Sequence, residues 1–204
     1  NASGDATINA TFSVALFHGQ FVTATATRNV APLDTSEFSA PIAATVQTFV
    51  VTNTNNSGTG SLRQAITDAN ANANPNLITF AITPLDGTVK TINLTSPLPT
   101  ITNPLGIDGL TQNGASCDTP KIEINGTSAG AGGDGFTVTV NNFLLQGFVI
   151  NRFLGDGIVL NSNNTNTIRC NKIGTNATGS TDLGNGASAI FLDTSSLNLI
   201  EKNT

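Results

Sequence analysis

The chain has 204 residues, of which 38% are hydrophobic and only 10% charged, with a net charge of −5. That length suits one large or two small domains. The eight Lys and Arg residues are spread along the chain, which speaks against the clustered basic face that nucleic acid requires. No apolar run approaches the roughly 18 residues of a membrane span. Few charges with abundant Thr, Asn and Gly point to β-structure rather than disorder, because β-branched residues suit a pleated surface and Asn and Gly suit turns. Met, Trp and Tyr are absent. Without Trp or Tyr the chain lacks the aromatic face with a polar handle on which sugar-binding sites usually depend.

The chain opens at Asn1 with neither an initiator Met nor a signal segment, and reads as processed or as a segment of something longer. Residues 1–46 form a first block. Ala6–Val14 and Phe21–Thr27 alternate apolar and polar residues, as half-buried antiparallel strands do. Arg28–Glu37 reads as a loop and Phe38–Val46 as a third strand. Three strands are too few for a sandwich with a core of its own.

Residues 47–204 form the second block. Thr48–Val51 reads as a strand, followed by a polar turn over 53–60. Ser61, with Gln64 three residues on, forms a capping box. Leu62, Ala65, Ile66 and Ala69 recur at helical spacing, predicting a short helix over 61–70 that frays in the Asn-rich stretch 70–76. From Leu77 onward short apolar strands alternate with Gly, Asn, Asp and Pro turns. Ile122, Leu145 and Ile168 lie 23 residues apart, and Ile200 follows after 32. Gly135 and Gly157 precede strands 22 apart, and Ser188 precedes another after a further 31. The excess falls in 174–187, read as a loop insertion. Such a period predicts a solenoid of stacked strands, with Asn171 and Asn203 equivalent and suited to an asparagine ladder. The helix at 61–70 would cap its first end.

Candidate chemistry is sparse. His18, the single histidine, sits in a turn and has no nucleophile elbow beside it. Enzymes that cleave polysaccharides need grouped carboxylates. Asp108, Glu123, Asp134, Asp156, Asp182 and Asp193 are scattered, although Asp108 and Glu123 are expected to approach each other on adjacent layers. Asp134-Gly135 and Asp156-Gly157, 22 apart, could stack their carboxylates and hold Ca²⁺; the simpler reading is two Asp-Gly turns, with no cofactor. Sequons occur at Asn1, Asn9, Asn55, Asn93, Asn125, Asn163 and Asn176. Asn93, Asn125 and Asn176 are the candidates for glycosylation. Cys117 and Cys170 are expected to lie about 10 Å apart on layers two removed, beyond disulfide reach unless the loop holding Cys117 bends across, and so to remain two separate buried thiols.

One stretch resembles a known family. Val51-Thr52-Asn53-Thr54, then Gly60-Ser61-Leu62-Arg63-Gln64-Ala65-Ile66, Ala69–Asn72 and Ile78-Thr79-Phe80, is similar to the opening of bacterial parallel β-helix surface proteins. That family typically starts with a Cys-Ser-Leu-Arg-Glu-Ala-Ile helix, so Gly60 and Gln64 depart from it. Ile107-Asp108-Gly109, Ile122–Gly126, Gly147–Phe153 and Ile173–Gly179 resemble its later strands, and 19–27 with 35–39 resembles the last strands of a sandwich domain that often follows such helices. The resemblance implies an all-β chain: a right-handed parallel β-helix with one short capping helix, behind a partial sandwich. It implies an extracellular, non-catalytic structural or adhesive role, with like subunits, neighbouring repeats, a surface glycan or a host surface as partners. Residues 1–46 are expected to pair with strands outside this segment, and the last strands to expose apolar core unless a filament or a continuous array covers it. The alternatives are a β-helix polysaccharide lyase or glycoside hydrolase and a sugar-binding module.

Overall fold

The computed structural model of the protein describes residues 21–23, 42–43, 46–72 and 75–204. The chain is mostly strands, numbered here in chain order. In the first block β1 (Phe21–Val22) pairs antiparallel with β2 (Ile42–Ala43). The strand expected at 6–14, the loop at 28–37 and His18 lie outside the described residues.

Helix α1 (Leu62–Asn70) begins where the sequence places it. Ser61 is extended, and its Oγ accepts a hydrogen bond from the Gln64 backbone N–H at 3.2 Å. The reciprocal half of the capping box does not form. The Ser61 N–H donates to the Gly58 carbonyl instead, which leaves the Gln64 amide to bond Asp68 one turn on. Gly60 has φ +76°, and a Cβ there would meet Asn53 Nδ2 at 2.8 Å. Glycine therefore fits where the resembled family has Cys. Leu62, Ala65, Ile66 and Ala69 are buried, as their spacing requires. The helix ends at Asn70, where the Asn-rich stretch begins. The Asn76 side-chain amide donates to the Ala69 and Asn72 carbonyls and closes the C-terminal end.

Three parallel sheets carry the remainder. The six-stranded sheet holds β3 (Gln47–Val51), β4 (Asn76–Phe80), β6 (Leu105–Asp108), β9 (Leu144–Gln146), β12 (Thr167–Arg169) and β15 (Leu199–Glu201). The four-stranded sheet holds β5 (Lys90–Asn93), β7 (Ile122–Asn125), β10 (Phe148–Asn151) and β13 (Lys172–Ile173). The three-stranded sheet holds β8 (Phe136–Val138), β11 (Ile158–Asn161) and β14 (Ile190–Asp193). From β7 to β15 successive strands enter the four-, three- and six-stranded sheets in fixed rotation. One 3₁₀ turn, Gly109–Thr111, follows β6, with Asp108 accepting from the Leu110 N–H.

Like side chains line up across each sheet. Ile78, Ile107, Leu145, Ile168 and Ile200 are in register in one; Ile92, Ile124, Ile150 and Ile173 in another. All but Ile200 join one apolar core, where each full burial contributes about 1.5–3 kcal/mol. In the last strands Leu192 and Ile200 are 44% and 41% exposed, whereas their register partners Leu160 and Ile168 are fully buried.

The register corrects the sequence period. Leu145, Ile168 and Ile200 do align, but Ile122 lies in the four-stranded sheet opposite Phe148, and Ile107 is the true partner of Leu145. Ile190, not Ala189, aligns with Ile158, which shifts the expected 31-residue step to 32. Offsets within the six-stranded sheet vary from 23 to 38 residues because the connecting loops differ in length, so one period cannot place every strand.

The asparagine ladder forms. Asn171 Nδ2 and the Asn171 N–H both donate to Asn203 Oδ1 at 3.1 Å, and the Phe148 N–H donates to Asn171 Oδ1 at 3.0 Å. A second ladder runs through Asn166 and Asn198, which the sequence reading missed.

The cysteines are bonded, contrary to expectation: Cys117 and Cys170 form a disulfide, with Cα atoms 4.6 Å apart. Cys117 precedes β7 and Cys170 precedes β13, with β10 between them, so the layer count was right. Loop 112–121 closes the gap, since each extended residue spans about 3.3 Å. The intervening corner is Gly147, which follows Gln146 just as Cys170 follows Arg169. At φ +81° and with Leu110 N 2.7 Å from an imagined Cβ, that corner carries no side chain to hold the loop away.

Candidate functional site

The four-stranded sheet carries a polar network across β5, β7 and the end of β10. Thr91 of β5 stands in register with Glu123 of β7, because alternate residues of a strand share one face. Thr91 Oγ1 donates to Glu123 Oε2 at 2.6 Å. Asn151 Nδ2 and an Arg152 guanidinium nitrogen donate to Glu123 Oε1 at 2.9 and 3.2 Å. Arg152 reaches back because its backbone is left-handed, at φ 60°. Loop 174–187, the insertion read from the sequence, folds over this edge: the Thr175 carbonyl accepts from Asn151 Nδ2, and the Leu183 carbonyl from the Arg152 N–H.

Burial pushes the Glu123 carboxyl up. The hydrogen bonds from Thr91 and Asn151, with the charge and hydrogen bond of Arg152, outweigh it and hold the group below its ordinary range. A general acid needs the opposite shift. Glycosidic cleavage also needs a second carboxylate nearby. Asp108, the expected neighbour, lies in the six-stranded sheet opposite Gln146, and its carboxylate caps the 3₁₀ turn. The two acids do not pair because β6 and β7 belong to different sheets.

Asp134 and Asp156 do share a corner, but as backbone acceptors rather than a cation pair. Asp134 Oδ1 accepts from the Asp156 N–H at 2.8 Å, and Asp156 Oδ1 from the Ser188 N–H at 2.6 Å. Each carboxylate thus fastens the next layer, and Ser188 continues the column without a charge. Among the described residues no three His, Cys, Asp or Glu side chains group as a metal site would require.

The sequons differ in availability. Asn163 is fully buried. Asn176 is latched in its loop, its amide donating to Thr181 and its carbonyl accepting from Thr178, Ser180 and Thr181. Asn125 donates its amide to Asn93 Oδ1. Asn93 is exposed and keeps its own amide nitrogen free of described partners.

Two recesses flank loop 174–187. One, of about 420 Å³, lies against Arg152, Leu154 and Asp182. The other, of about 500 Å³, lies beside the disulfide, where Asp118, Lys172, Thr178 and Lys202 meet. Sequence reasoning missed Thr91, Asn151, Arg152 and both lysines. A signal existed for the first two: Ile92-Asn93, Ile124-Asn125 and Ile150-Asn151 repeat one dipeptide in register.

No protein-family model matches the chain, and no curated protein matches it.

Proposed function

We propose that the chain is an extracellular, non-catalytic module of a cell-surface protein or filament, with a structural or adhesive role, built as a right-handed parallel β-helix. One observation carries this reading: strands β7 to β15 rotate through three parallel sheets in register. A chain that visits three sheets cyclically and adds one parallel strand to each per pass winds as a helix of strands. Crossovers between parallel strands of one sheet are right-handed in nearly all proteins, which sets the hand.

Other features support it. Helix α1, with Ser61 as its N-cap, stands where the resembled surface proteins have their opening helix, and it packs on β3 and β4. A disulfide fits an oxidising compartment. Glu123 is held ionised by its neighbours, as suits a scaffold better than acid catalysis. The exposed Leu192 and Ile200 suit coverage by a neighbouring repeat or a like subunit.

The experiment is incubation with acidic and neutral polysaccharides, alongside a glycan array and sedimentation at micromolar concentration. Robust depolymerisation would overturn the non-catalytic reading. Saturable glycan binding or concentration-dependent assembly is the expected result.

A further inference from the structure

We infer that the recess beside the disulfide is an anion subsite, built to take a single carboxylate or sulfate of an acidic sugar. The inference rests on the adhesive reading and names its ligand class.

The argument begins with charge. Lys172 and Lys202 both line the recess, and among the described residues neither is ion-paired. Lys172 Nζ donates to the Ala177 carbonyl at 2.9 Å, which uses one of its three hydrogens. The ammonium lies over Gly179, whose imagined Cβ stands 3.6 Å from Nζ, so no side chain of that residue covers it. Asp118 lines the recess with them, so its side chains carry two positive charges against one negative, which suits a monoanion better than a phosphate monoester. Asp118 and Thr178 add acceptor and donor capacity for sugar hydroxyls.

The recess is also held in shape. The disulfide fixes Cys117, and Asp118 with it, against the corner at Cys170. Lys202 occupies the next corner in that column, at φ 54°, since Glu201 is in register with Arg169. The opposite wall, loop 174–187, is tied by bonds from the Gly174 N–H to Ile150 and from the Leu183 N–H to Gly174. A volume near 500 Å³ accommodates one or two sugar rings.

The test is calorimetric titration of the full chain with oligogalacturonate, with a sulfated oligosaccharide and with a neutral oligosaccharide of equal length. Saturable binding of an acidic oligomer is expected, weakened at least tenfold in Lys172→Gln and in Lys202→Gln and absent for the neutral one. Melting curves confirm that each variant folds. Absence of acidic binding, or binding unchanged in both folded variants, overturns the subsite. Saturable binding of another glycan that ignores both lysines overturns the subsite but keeps the adhesive reading. Cleavage of the oligomers overturns the reading itself.

Discussion

Cys117 and Cys170, 53 residues apart in sequence, sit with their Cα atoms 4.6 Å apart and tie loop 112–121 to the corner ahead of β13. Closing a loop of that length removes denatured-state entropy worth about 4 kcal/mol. The double variant Cys117→Ser/Cys170→Ser is expected to lose stability on that scale in urea denaturation. Thiol titration of the unfolded, unreduced wild type should find no free thiol; finding two would return the cysteines to the state the sequence suggested.

Asn171 is buried and works in both directions along its ladder. It accepts from the Phe148 N–H and donates to the Leu145 carbonyl and to Asn203. Asn171→Ala strands a buried donor and a buried acceptor, each costing about 1–3 kcal/mol. A loss of about 2–6 kcal/mol is expected by chemical denaturation, and a loss below about 1 kcal/mol would show that water replaces the amide.

Asn198 Nδ2 is buried with no hydrogen-bond partner among the described residues. Its counterpart Asn166 donates to Asn163 Oδ1 at 2.7 Å, but Ser195 stands where Asn163 would recur, and its hydroxyl is spent on Leu160 and Asn163. Ser195→Asn is expected to restore the bond and stabilise the fold by about 1 kcal/mol. A destabilised variant would show that the corner is too tight for the larger side chain.

Leu197 has φ 56° and is 81% exposed, so its side chain contributes little packing while its backbone is left-handed. The equivalent corner carries Asn142 and Thr165 two layers and one layer earlier. Leu197→Asn is expected to raise stability by about 0.5–1 kcal/mol, because Asn tolerates this conformation best after Gly. An unchanged or lower melting temperature would count against the strain argument.

Glu123 gives the pH dependence. Its folded pKa is depressed, so its contribution is fully present above the unfolded carboxyl value of about 4.3 and is lost as pH falls through the folded value. Glu123→Gln should therefore be less stable than wild type at neutral pH, with the gap narrowing below about pH 4. A gap that stays constant down to pH 2 would mean the carboxylate is unperturbed.

What the sequence determined by itself was local. Ser61 and the 3.6-residue spacing of Leu62, Ala65, Ile66 and Ala69 determined α1, because capping and amphipathicity need only neighbouring residues. Recurrent spacings placed Leu145 with Ile168 at 23 residues, and Ile168 with Ile200 and Asn171 with Asn203 at a shared 32, because residues of one strand keep their offset to the strand it stacks on. Tertiary structure alone decided which sheet each strand enters. Loop lengths set that, and they moved Ile122 away from Leu145, parted Asp108 from Glu123 and gathered Thr91, Glu123, Asn151 and Arg152. It also decided the disulfide. Counting layers measures the distance between strands, whereas Cys117 stands on a loop free to cross the side-chain-less corner at Gly147.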